Sequence, residues 1–127
     1  MHFKILHIEE FPGKGRGMVA GEQIKKGDLI ERCPVLVLEK KFTEQIDKTP
    51  LYDYYFIWGK NDESIAIALG YGSIYNHSFE PNAEYVPNYE DAQLEFYALR
   101  DISEGEEILV NYNGTPKSEK PIWFEAE

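Results

Sequence analysis

Asn76, His77 and Asn82 crowd into one stretch, Gly70 to Asn82, GYGSIYNHSFEPN. Their side chains both donate and accept hydrogen bonds, two glycines allow a sharp turn, and Pro81 fixes its own φ. Such a segment is suited to holding polar groups in position rather than to packing. Further along, in Glu106 to Tyr112, EEILVNY, residues Ile108, Val110 and Tyr112 alternate with Glu107, Leu109 and Asn111. This is the period of a half-buried strand, and it predicts the Tyr112 hydroxyl on the buried face at the strand's end. A buried phenol needs a partner or a task. A third stretch, Phe11 to Gly17, holds a proline and three glycines and reads as a loop that approaches something closely. It is not a phosphate loop, because GKGRG lacks the Gly-Lys-Ser/Thr ending and no helical pattern follows.

The elements that must position these residues read as many short strands. Phe3 to Ile8, Met18 to Ala20, Leu29 to Arg32 and Val35 to Glu39 are expected strands, with Pro34 breaking the run between the last two. Glu39 to Lys48 is charged, with Phe42 and Ile46 as an i,i+4 pair, which predicts a short surface helix ended by Pro50. From Tyr52 to Trp58 the even positions form an aromatic stripe, Tyr52, Tyr54, Phe56 and Trp58, whose ordinary use is core packing on one strand face. Ser64 to Leu69 alternates and delivers the chain into GYGSIYNHS. Ala83 to Val86, Gln93 to Leu99 and Glu107 to Tyr112 complete the expected strands, the last ending in Asn113-Gly114, a turn pair. Pro121-Ile122-Trp123-Phe124 is apolar within a polar tail. Leaving two large aromatics in water is costly, so the tail is expected to fold back.

Composition bounds the rest. A chain of 127 residues fits one domain. A single cysteine, Cys33, excludes an internal disulfide and a multi-cysteine zinc site, and His2, His7 and His77 show no ligand spacing, so no metal is expected. Nothing near the start reads as a signal peptide and no run approaches membrane length, which points to a soluble, intracellular protein without membrane contact. A formal net charge of −10, from 23 acids against 13 bases, argues against a nucleic-acid groove and for a basic partner, though acids also serve solubility. Small size and prominent aromatics make a homodimer plausible.

NHSFEPN followed by GEEILVNY resembles the paired signatures of the SET-domain protein-lysine methyltransferases, and KGRG at Lys14 to Gly17 resembles that family's N-terminal glycine motif. The resemblance runs from Gly15 to Trp123. It implies a mainly β, SET-domain (β-clip-like) fold of several small sheets, with few short helices and a C-terminal pseudoknot-like crossing that brings the two signatures together. It further implies one SET domain over residues 1–127, with 113–127 a tail folding back over the cofactor site. S-adenosylmethionine would bind on one side and a target lysine would enter by a narrow channel from the other. On this resemblance Lys14, Gly15, Arg16 and Gly17 hold the methionine end of the cofactor, Asn76 and His77 contact its ribose and adenine, and Trp123 stacks on the adenine. Tyr112 is the catalytic residue where the ligands meet, and Tyr85 lines the lysine channel with it. Asn111 stands where the family commonly has Asp, and the cysteine-rich zinc flanks of many histone-directed members are absent from these 127 residues.

The function expected is therefore methyl transfer from S-adenosylmethionine to a lysine of a basic protein, such as a histone or a small basic DNA-associated or ribosomal protein. The alternative is a catalytically silent module of the same fold that grips a basic peptide.

Overall fold

A computed structural model of the chain describes residues 4–112. Trp123, Phe124 and the proposed folding back of the tail lie outside the described residues. The described residues divide into two compact units, one of residues 4–32, 74–86 and 95–112, the other of residues 33–73 and 87–94.

In the first unit, β1 (Leu6–Phe11) and β2 (Gly15–Ala20) form a hairpin paired from Leu6↔Ala20 to Phe11↔Gly15. The expected first strand is thus shifted toward Phe11, and the expected loop shrinks to the turn at Pro12, Gly13 and Lys14. Glycines made the segment look like a loop, but here they serve a strand. Gly13 (φ 79°) and Gly15 (φ 76°) take left-handed backbone at the turn, which side chains resist.

β9 (Glu107–Val110) pairs antiparallel with β2 through Met18↔Ile108 and Val19↔Glu107. On its other side it pairs parallel with β6 (Asn76–His77) through Asn76↔Leu109 and His77↔Val110. The sheet order is therefore β1-β2-β9-β6, with the last strand inserted between earlier ones. This is the crossing that the signatures implied. Asn82, 2% exposed, pins it: its side-chain oxygen accepts from the Leu109 amide at 2.8 Å, its Nδ2 donates to the Glu107 carbonyl at 2.8 Å, and its own amide donates to the Leu109 carbonyl at 3.2 Å. Met18, Ile24, Ile30, Phe96, Ile102 and Ile108 form the core around these strands.

A five-stranded sheet has the order β4-β5-β3-β8-β7, from β4 (Tyr55–Trp58), β5 (Ser64–Ala68), β3 (Leu29–Glu39), β8 (Gln93–Ala98) and β7 (Ala83–Asn88). Contrary to expectation, β3 runs through Pro34 without a break. The ladder to β5 begins only at Val35↔Ala68, and Pro34 contributes its carbonyl, which accepts from the Leu69 amide, so its missing N–H is not needed there.

Within the second unit the expected surface helix is a 3₁₀ turn (Lys40–Phe42) followed by the single turn α1 (Thr43–Ile46), both without buried residues. Another 3₁₀ turn, Pro50–Asp53, is capped by Thr49, so the expected strand starts at Tyr55 rather than Tyr52. The aromatic stripe is accordingly split. Trp58 is buried and meets Tyr89 edge-on, whereas Tyr52 and Tyr54, outside the strand, are exposed.

Candidate active site

β9 ends at Val110, so the alternation expected to carry Tyr112 inward stops two residues short of it. Asn111 is buried and Tyr112 is half-buried. What fixes Tyr112 is hydrogen bonding rather than strand period. Its amide donates to His77 Nδ1 at 2.9 Å, its hydroxyl donates to the Tyr75 carbonyl at 2.7 Å, and its own carbonyl accepts from the Tyr85 hydroxyl at 2.9 Å. Backbone and side chain are thus both held. Tyr85 projects from β7 to make its contact with the Tyr112 carbonyl, and burial pushes the pKa of the Tyr85 hydroxyl up to about 12.

His77 is 4% exposed and lies edge-on to Phe79 and tilted against Tyr112. Because Nδ1 accepts the Tyr112 amide, the ring proton belongs on Nε2, a buried atom with no hydrogen-bond partner among the described residues. Burial also lowers the His77 pKa, which keeps the ring neutral.

Next to it in sequence, Asn76 Nδ2 donates to Glu107 Oε2 at 2.7 Å and to the Arg16 carbonyl at 3.2 Å. Lys14 Nζ meets Glu107 Oε1 at 2.8 Å. Asn76 and Glu107 converge on Gly17, where an added Cβ would lie 2.5 Å from Glu107 Oε2, 2.6 Å from Asn76 Nδ2 and 2.8 Å from Phe11 Cε2. The glycine motif and the Asn-His pair, distant in sequence, are therefore one cluster joined through Glu107. From sequence Glu107 counts only as one of the alternating positions of EEILVNY. The structure places it opposite Val19, in register with the glycine strand, a pairing that no local sequence pattern signals. Arg16 takes part through its backbone carbonyl, while Gly15 supplies the turn. Trp123 is outside the described residues.

The SET domain family model matches residues 15–113. The chain belongs to the SET-domain family. Among similar curated proteins, a Schizosaccharomyces pombe histone-lysine N-methyltransferase specific for H3 lysine 37 is 33% identical over 123 residues, covering 96% of this chain and 78% of that protein. A Debaryomyces hansenii enzyme specific for H3 lysine 36 is 33% identical over 110 residues, 79% of this chain but 15% of its own length. Among solved structures, a candidate histone methyltransferase of Plasmodium falciparum superposes with a TM-score of 0.68 at 32% identity, covering 88% of this chain and 95% of that one. A Chaetomium thermophilum Polycomb Repressive Complex 2 bound to S-adenosylmethionine has a TM-score of 0.75 over 87% of this chain and 15% of its own, at 18% identity, and shares the fold.

This SET protein is an S-adenosylmethionine-dependent protein-lysine methyltransferase. Its residues fit that cofactor. The methionine end carries an ammonium and a carboxylate, and the Gly17 cluster offers an anion, Glu107, an amide, Asn76, and a cation, Lys14. The buried Nε2 of His77 adds an unsatisfied donor, and the glycine at position 17 is what lets Glu107 and Asn76 pack directly against the backbone there. Among the described residues no group of three or more His, Cys, Asp or Glu could hold a metal ion, and no helix is long and apolar enough to cross a membrane.

Proposed function

We propose that this enzyme methylates a lysine in a basic, flexible segment of the histone-tail type, with Tyr112 as its catalytic residue. The observation that carries the reading is the triple fixing of Tyr112 through His77, Tyr75 and Tyr85. Lys14 through Gly17, Asn76, His77 and Glu107 would hold S-adenosylmethionine, and Trp123 would stack on its adenine. When bound, the cofactor supplies an electrophilic methyl group on a positively charged sulfur.

Attack requires a neutral amine. From a lysine pKa of about 10.4, deprotonation near pH 7.5 costs roughly 4 kcal/mol. Tyrosine rings that exclude water lower this cost by disfavouring the ammonium. The Tyr112 hydroxyl proton is directed at the Tyr75 carbonyl, which leaves the oxygen's lone pairs to accept an N–H of the incoming amine. Tyr112 then acts by orientation, where alignment alone is worth several kcal/mol, and Tyr85, with its raised pKa, stays a phenol and narrows the channel.

The substrate class is supported by the relatives named for histone H3 lysines and by the net charge of −10. A nuclear, intracellular setting follows from such a substrate, without direct nucleic-acid or membrane binding. Exposed Glu80 and Glu104 belong to the acidic rim proposed to attract the peptide, whereas Glu106 and Glu107 are engaged by Arg100 and Lys14. We extend the proposal to residues 1–127 working as one SET domain whose tail closes over the cofactor, and to a homodimer, favoured by the exposed Leu36, Ile57 and Leu69. Light scattering tests the dimer. Calorimetry with S-adenosylmethionine on wild type and Trp123→Ala tests the tail, with about tenfold weaker binding expected in the mutant if base stacking is worth its usual roughly 1–3 kcal/mol. Tritium transfer to lysine peptides, basic against acidic, tests the substrate.

A further inference from the structure

Glu31 in β3 is only 6% exposed, and its Oε1 accepts the hydroxyl of Tyr75 at 2.7 Å. Burying a carboxyl group is expensive, and an apolar side chain of the same volume often packs as well. The acid therefore invites a reason beyond filling space. Tyr75 is itself 1% exposed, and its ring stacks on Phe96 with centroids 4.3 Å apart and planes 19° from parallel. Stacking fixes the plane of the ring, while the Glu31 contact stops it sliding along that plane. Tyr75 also carries the carbonyl that accepts the Tyr112 hydroxyl, in the peptide unit leading into Asn76 at the start of β6.

We propose that Glu31 is a positioning residue for methyl transfer: by holding the Tyr75 hydroxyl it sets the Tyr75 carbonyl, and through that carbonyl the direction of the Tyr112 O–H. It touches neither substrate nor cofactor. The chain Glu31, Tyr75, Tyr112 joins residues far apart in sequence across two hydrogen bonds of 2.7 Å each. Its consequence is kinetic. With the carbonyl displaced, the Tyr112 proton is free to turn toward the amine, and the lone pairs meant for the amine turn away. The inference rests on Tyr112 being catalytic.

The test uses Tyr75→Phe, which keeps the stacked ring and removes one hydroxyl, and Glu31→Gln, which keeps an acceptor oxygen. Tyr75→Phe should lower kcat about five- to tenfold with KM for S-adenosylmethionine within about twofold, whereas Glu31→Gln should retain most of the rate. In a Tyr112→Phe background the Tyr75→Phe effect should vanish, because its target hydroxyl is gone. An unchanged rate in Tyr75→Phe, or an equal loss in both backgrounds, overturns the proposal and leaves Glu31 a packing residue. A second readout is independent of activity. With tyrosines labelled with carbon-13 at Cζ, the resonance assigned by its loss in Tyr112→Phe should move in Tyr75→Phe and stay in Glu31→Gln. An unmoved signal in Tyr75→Phe also overturns it. If wild type transfers no methyl group, the catalytic reading of Tyr112 fails, while the spectra still decide whether Glu31 and Tyr75 position its hydroxyl.

Discussion

The hydroxyl of Tyr112 donates to the main-chain carbonyl of Tyr75 across 2.7 Å, tying the second residue after β9 to the residue before β6. The parallel pairing of β6 and β9 makes this contact available. Removing the hydroxyl should leave the ring's packing and cofactor affinity intact. Tyr112→Phe is accordingly expected to lower kcat at least tenfold, or to change how many methyl groups are added, with a melting temperature within a few degrees of wild type. Calorimetry and mass spectrometry of product distinguish this from general damage.

Gly17 has no room for a side chain. Gly17→Ala should push Glu107 and Asn76 apart and weaken S-adenosylmethionine binding about tenfold or more, at a stability cost of about 1–3 kcal/mol. Titration calorimetry with parallel urea denaturation separates the two effects. Unchanged affinity would remove the cluster from the cofactor site.

Asn82 contributes to the fold rather than to chemistry. Asn82→Ala would leave the Leu109 amide and the Glu107 carbonyl without its side chain, for an expected loss of about 2–4 kcal/mol in urea denaturation.

Burial holds the His77 ring below its ordinary pKa, so as pH falls the unfolded chain takes up that proton before the folded one. The stability contributed is present above the unfolded value, near 6.5, and is lost as pH falls toward the folded value. His77→Asn, which keeps an acceptor for the Tyr112 amide, should flatten this part of the profile between pH 7.5 and 5.5. A mutant profile that parallels wild type would show another group to be responsible.

What was legible in sequence depended on the kind of signal. The mainly β class followed from local alternation, whereas family membership and the crossing of the two signatures came from the resemblance of the motifs to those of the SET family. The course of β3 through Pro34 was hidden, because the rule that proline breaks strands does not reveal which amide a ladder leaves unused. β6 spans only Asn76 and His77, too short for any period to register. Glu107 looked like one more acid, and Glu31 and Tyr75 drew no notice, because their partners lie far away in the chain. Polar pairings of that range leave no local pattern.

The central claim is tested most directly by mixing the protein with tritiated S-adenosylmethionine and a basic histone-type peptide, alongside the same peptide with every lysine replaced by arginine, at low and high salt. The account predicts label on the lysine peptide alone, a peptide KM that rises with salt as screening shortens from about 10 Å at 0.1 M to about 3 Å at 1 M, and slower or altered methyl transfer in Tyr112→Phe. No label on the lysine peptide, or equal transfer by wild type and Tyr112→Phe, would contradict it.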